Sequence, residues 1–337
     1  MKKDQKYTKF ALVREMMEVP QIVRNYKPQK IEAAADAIKK AGKLFFTGEG
    51  SSRIFPAKNS MSQFMREGLK VSMATEGSMQ AMEYILNDFV VFGASNSGQT
   101  KEIILLVDKL KKAGHKNLFG LTARENTKLS TYVNQTFVLS CGWEDAVAAT
   151  KSVVEQALFY QYLLTKVQGK SLDSKLAKLA DACQDALTTN IDPAITKAIA
   201  NAGTIYFAGR NDGVAEELTL KTNEITRKKS DFLEGTYLLH GVEEVMNADD
   251  VVLLVNPYDS ELETIKKLLV QNVGLKVFAI STKDTIFPTI KVKDVGELTT
   301  FVYLTAGWNV LVEVGVSLNI NLDKPERARK VGNVLVE

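Results

Sequence analysis

Residues 90–103 read VVFGASNSGQTKEI: a short apolar run, a knot of hydroxyl and amide side chains, then a helical pattern. Ser95, Asn96, Ser97, Gln99 and Thr100 all fall within this one turn. A helix start needs one such residue as a cap, worth about 1 kcal/mol. This turn carries more than a cap requires. Where a strand runs into a helix, free backbone N–H groups and the helix dipole favour an anion, most often phosphate. Hydroxyls add neutral donors with little bulk, and Gly98 lets the backbone come close. No lysine of the Walker type follows, which argues against a nucleoside triphosphate and for the monophosphate of a small molecule. A second pair, Ser51 and Ser52 in GEGSSR, also follows an apolar run. There a cap explains the residues as well as a ligand does.

Such turns must sit at strand ends, because open α/β sheets bind ligands outside the carboxyl ends of their strands. Short apolar runs alternate with helical patterns along most of the chain, the signature of βαβ units and a parallel sheet. The chain also repeats itself. KLFFTGEGSS from Lys43 resembles TIYFAGRNDG from Thr204, and DFVVFGASNSGQ from Asp88 resembles DDVVLLVNPYDS from Asp249. The expectation is two doubly wound αβα domains, each with a parallel sheet, arisen by duplication. Residues 1–29 form an N-terminal helical segment interrupted at Pro20, and 30–170 the first domain. A helical connector follows over 171–200, then the second domain over 201–320 and a polar, basic tail over 321–337.

The chain has 337 residues, 45% apolar and 25% charged, with a formal net charge of +3. That balance suits a globular protein and gives no reason to expect nucleic acid or a membrane surface as partner. No apolar run approaches a membrane span, and the start lacks the pattern of a signal peptide. Cys141 and Cys183 make neither a disulfide framework nor a zinc site, and only His115 and His240 are present. A cytoplasmic setting is expected, with no metal and no organic cofactor. His115, in KKAGHKN, reads as a solvent-facing loop residue.

The motifs together resemble a known family. SNSGQT resembles the S-Q-S-G-E-T phosphate loop of sugar isomerase (SIS) domains. The chain is similar to the isomerase half of the glutamine:fructose-6-phosphate aminotransferase family. REMMEVPQIVRN resembles that family's entry helix, GEGSSR its C-G-T-S-Y turn and AVAATKSV its G-V-A-S-T-K-A-F. LKTNEIT resembles L-K-L-K-E-I-S, YLLHGVEEVM resembles E-L-K-H-G-P-L-A-L, and DKPERARK resembles D-x-P-R-N-L-A-K. Each motif is weak alone; six in order are specific. The resemblance implies two SIS domains with flavodoxin-like sheets. The family's glutaminase domain is absent from the match, so glutamine is not expected as a nitrogen donor.

Carried over by position, the resemblance implies a phosphate site at Ser95, Asn96, Ser97 and Thr100, with Ser51 and Ser52 toward the sugar. Glu224 matches a proton-transferring glutamate, His240 a ring-opening histidine supplied by the neighbouring subunit of a homodimer, and Lys330 a lysine at the sugar's carbonyl end. Lys221, which the resemblance places among the substrate-binding residues, and Glu217 also fall on family positions. Departures are Val242 for a proline, Leu239 for a lysine before the histidine, and Ala149 for a hydroxyl residue. Two more residues than in the family follow Lys330.

Each assignment has a plainer counterpart. Glu217, Lys221, Glu224 and Lys228 repeat at i, i+3 and i+4, the pattern of a solvated salt-bridge ladder. His240 suits a strand end, and Lys330 stands among Arg327 and Arg329 as ordinary surface charge. Three functions remain open: an isomerising deaminase of the glucosamine-6-phosphate type, a fructosamine-6-phosphate deglycase, and a non-catalytic sugar-phosphate sensor. Arg53 and Lys151 offer a deglycase some charge for an amino-acid moiety. No helix-turn-helix pattern precedes the first domain, which disfavours a DNA-bound sensor.

Overall fold

The computed structural model describes residues 4–28, 30–330 and 333–335. The chain forms two compact units, each built on one sheet. The first unit comprises residues 21–144, 149–176 and 329–337; the second comprises 1–20, 145–148 and 177–328.

In the first unit β1 (Lys43–Gly48), β2 (Ser72–Glu76), β3 (Val90–Ala94), β4 (Leu118–Thr122) and β5 (Gln135–Val138) pair in the order β2-β1-β3-β4-β5. Every pair is parallel. The second unit repeats this with β6 (Thr204–Gly209), β7 (Lys229–Glu234), β8 (Val251–Val255), β9 (Lys276–Ser281) and β10 (Thr289–Lys291), ordered β10-β9-β8-β6-β7 and again all parallel. Numbered within its own unit, each sheet has the flavodoxin-like order 2-1-3-4-5. Composition explains the positions. β3 and β8, VVFGA and VVLLV, are apolar and buried along their whole length, as a strand covered on both faces must be. The outer strands β2, β7 and β10 are mixed and partly exposed, which suits an edge.

Each sheet is backed by one nearly all-buried helix. Lys151–Val167 does this in the first unit, where Phe159 and Tyr160 close on Phe92 of β3 with ring centroids 5.9 and 5.8 Å away. Thr299–Ser317 is its counterpart in the second, apolar on nearly every face and therefore a core helix. Among the described residues no helix is long and apolar enough to cross a membrane.

Two local expectations are corrected. The helix expected to break at Pro20 runs unbroken over Ala11–Asn25. A proline forfeits one main-chain hydrogen bond there, and the burial of Met16, Val19 and Val23 on the same face holds the helix together. The amides of Ala11 and Leu12 at its start donate to the Asp323 carboxylate at 3.0 and 2.8 Å. His115 is half-buried and not solvent-facing: its Nε2 lies 3.0 Å from the Leu86 carbonyl, tying two loops together.

Candidate active site

β1 and β3 are neighbours in the first sheet, and the connections from their ends leave in opposite directions. This is the switch-point crevice where such sheets take ligands. Both hydroxyl turns open there. Gly48 ends β1, and a Cβ on it would press on the carbonyls of Ala94 and Ser52 at 3.0 and 3.1 Å, so the two turns approach closely only because it is glycine. Ser51 and Ser52 follow in a single 3-10 turn, Gly50–Ser52, half-buried at the lip.

After β3 the hydroxyls face one another. Ser95 Oγ lies 2.7 Å from Thr100 Oγ1 and 3.4 Å from Ser97 Oγ. The Gly98 amide donates to Ser95 Oγ and the Gln99 amide to Ser97 Oγ, at 3.1 and 3.2 Å. Thr100 sits at the cap position of the helix Lys101–Lys112, yet its side chain makes no capping bond. Capping therefore does not account for the whole cluster. Asn96 turns away from its neighbours: its Nδ2 donates to Ser152 Oγ and its Oδ1 accepts from Gln156 Nε2, both at 2.6 Å. It braces the turn against the backing helix.

Lys330 belongs to the same unit. Its ammonium lies 3.4 Å from the buried carboxylate of Glu144 and 5.7 Å from the centre of the Trp143 ring. Beyond it the tail pairs with the turn itself. The Lys101 amide donates to the Asn333 carbonyl at 3.1 Å, and Val334 forms an antiparallel bridge with Thr100.

The second unit places the remaining residues. Glu217, Lys221 and Glu224 share the helix Val214–Thr226. Lys221 Nζ lies 2.6 Å from Glu224 Oε2 and 3.2 Å from Glu217 Oε1. The side chains of Lys221 and Glu217 are fully buried, whereas Glu224 keeps a quarter of its surface. A solvated ladder is thus excluded. Lys228 drops out because the helix ends at Thr226, and its ammonium goes to the Ala200 carbonyl. His240 follows the turn Tyr237–Leu239 and is exposed, with its amide on the Tyr237 carbonyl at 3.0 Å.

The equivalent crevice of the second sheet, between β6 and β8, is filled. Arg210 lies over the Tyr258 ring at 4.2 Å and donates to the Asn256 carbonyl, leaving a cavity of only about 10 Å³. Among the described residues no cluster of His, Cys, Asp or Glu is arranged to hold a metal ion.

Reading the sequence missed Glu144, Ser152 and Gln156. The one available signal was the acidic pair Glu144 and Asp145 within CGWEDAVAAT, an otherwise weakly polar stretch.

Residues 37–166, which hold the whole first sheet, match the family model described as SIS domain. The chain carries a SIS domain. Over 95% of its length it is 24% identical to the glutamine–fructose-6-phosphate aminotransferase [isomerizing] of Lactiplantibacillus plantarum, covering 58% of that protein. The chain spans about half the length of the curated relatives it matches. Two solved structures share the fold of the SIS domain and of the second sheet. Glucosamine-6-phosphate deaminase from Thermotoga maritima has a TM-score of 0.75 at 20% identity, covering 98% of this chain and all of that one. Tagatose-6-phosphate ketose/aldose isomerase from Escherichia coli has a TM-score of 0.77 at 16% identity, covering 96% and 98%.

Proposed function

We propose that this SIS-domain protein is a phosphosugar isomerase-type enzyme, an isomerising deaminase acting on an amino-sugar phosphate of the glucosamine-6-phosphate kind. The observation that carries the reading is the mutually facing set of Ser95, Ser97 and Thr100 hydroxyls at the switch crevice of the SIS sheet. The sugar's phosphate lies on those hydroxyls, Asn96 braces their turn, and Ser51 and Ser52 reach the sugar.

In this mechanism His240 passes a proton between the ring oxygen and the anomeric hydroxyl, opening the sugar. Glu224 takes the proton from C2 and returns it to C1, work worth about 10²–10⁴ in rate. Its partly exposed carboxylate, steadied by Lys221, supports that role. Lys330 holds the carbonyl end. The shift leaves an imine at C2; water adds there, ammonia leaves, and the ketose phosphate remains. The reading includes a homodimer in which His240 serves the neighbour's site. The relatives' names favour this substrate class, since one neighbour is a deaminase of glucosamine-6-phosphate and another a ketose/aldose isomerase.

A deglycase needs a cationic seat for an amino-acid moiety. Lys151 is buried at the start of the backing helix, which leaves Arg53 for that role and favours the deaminase. The test incubates the protein with glucosamine-6-phosphate and with 6-phosphofructosyl amino acids. Ammonia from the first is expected. Free amino acid from the second without ammonia from the first establishes the deglycase, and binding without turnover of either establishes a sensor. Glu224→Gln should abolish turnover with sugar-phosphate affinity nearly unchanged; parallel loss of both would remove the proton-transfer role.

A further inference from the structure

Glu144 is a carboxylate with 1% of its side chain exposed, and the mechanism above leaves it without a task. Five donors surround it. The Thr150 amide donates to Oε1 at 2.7 Å, the Ser152 amide and the Thr150 hydroxyl to the same oxygen at 3.3 and 3.4 Å, and Ser152 Oγ to Oε2 at 2.6 Å. The fifth is the Lys330 ammonium, on Oε2 at 3.4 Å. Ser152 Oγ in turn accepts from Asn96 Nδ2, and Asn96 Oδ1 accepts from Gln156. One unbroken chain of hydrogen bonds therefore runs from the phosphate turn to the tail lysine.

A buried carboxylate is costly unless its lone pairs are filled and a charge opposes it. Here the amides and hydroxyls fix its orientation, and the opposing charge comes from a segment about 190 residues further along the chain. The carboxylate is held by the start of the backing helix through Thr150 and Ser152. Trp143, next to Glu144, adds a second seat: the Arg124 guanidinium lies 3.7 Å above its ring, and Lys330 flanks it.

We propose that Glu144 is the positioning residue for Lys330, setting the tail ammonium in register with the phosphate turn through Ser152 and Asn96. The inference rests on the functional reading above for its catalytic consequence, though not for the contact it describes. A displacement of about 1 Å at a reacting group costs on the order of 10²-fold in rate. Glu144→Gln keeps the size and the acceptor oxygen facing Thr150 while removing the charge, so the phosphate turn stays in place.

With glucosamine-6-phosphate, Glu144→Gln should lower kcat by at least about tenfold and leave KM within roughly threefold. The Glu144→Gln/Lys330→Met double variant should be no slower than Lys330→Met alone, because both changes remove the same contact. Losses that multiply would overturn the proposal, as would a fall in kcat/KM carried entirely by KM. A second readout needs no substrate. Trp143 emission should move to longer wavelength by the same amount in Glu144→Gln, in Lys330→Met and in the double variant, over the constant background of buried Trp308. Lys330→Met changes only the tail and tests the contact even where Glu144→Gln fails to fold. Emission unchanged in Lys330→Met overturns the proposal. A wild-type protein inert toward every sugar phosphate overturns the functional reading and leaves the emission comparison to decide the contact.

Discussion

Lys221 lies wholly inside the second unit with a carboxylate on either side. Burial by itself would lower the pKa of its ammonium, but Glu224 and then Glu217 outweigh that and hold it above the ordinary 10.5. A raised folded-state value means that the stabilisation is complete below pH 10.5 and disappears as pH climbs past the folded value. Lys221→Met leaves the two acids facing each other and should cost about 3–5 kcal/mol, read from urea unfolding at pH 7. The wild-type protein should lose part of that advantage in alkali, so the two unfolding midpoints converge above pH 10.5. The residue types of this triad were legible in the sequence; their burial was not. Spacing of i, i+3 and i+4 is the same for a wet ladder and a sealed one. The helix that carries the triad packs tightly on Thr299–Ser317, which comes close because Gly307 has no Cβ to strike Leu218. Those partners are about 90 residues apart, and no local pattern announces them.

Elements were read more faithfully than residues, because each βα unit writes its own period into the chain. The strand-to-helix turns at Ser51 and Ser95 stand where the alternation put them, and the buried inner strands show as unbroken apolar runs. Pro20 misled because a local helix breaker was overruled by tertiary burial. Gly98 matters at this scale. Its φ is 61°, and a Cβ there would run into the Thr127 side chain. Gly98→Ala therefore adds left-handed strain of about 1–2 kcal/mol to a clash, and KM for a sugar phosphate should rise roughly tenfold or more. Adding Thr127→Gly relieves the clash but not the strain, so recovery should be partial. Full recovery, or no rise in KM to begin with, would separate this turn from phosphate binding.

For the whole molecule, the paired motifs predicted two like halves, and the two sheets carry the same strand order. The halves differ in what fills their crevices: hydroxyls in the first, Arg210 on Tyr258 in the second. The functional reading proposed above uses one copy of each part and a dimer that completes the site. Mixing inactive Glu224→Gln and His240→Ala proteins under exchange conditions should restore part of the activity, since hybrids contain one site with both groups intact. No recovery, with subunit exchange verified by mass, would put both groups in one subunit's site. The bridge between Val334 and Thr100 has a practical corollary for anyone handling the molecule. An affinity handle fused after Glu337 would pull on the segment bridged to Thr100, beside the hydroxyl turn, so purification tags belong at the amino-terminal side.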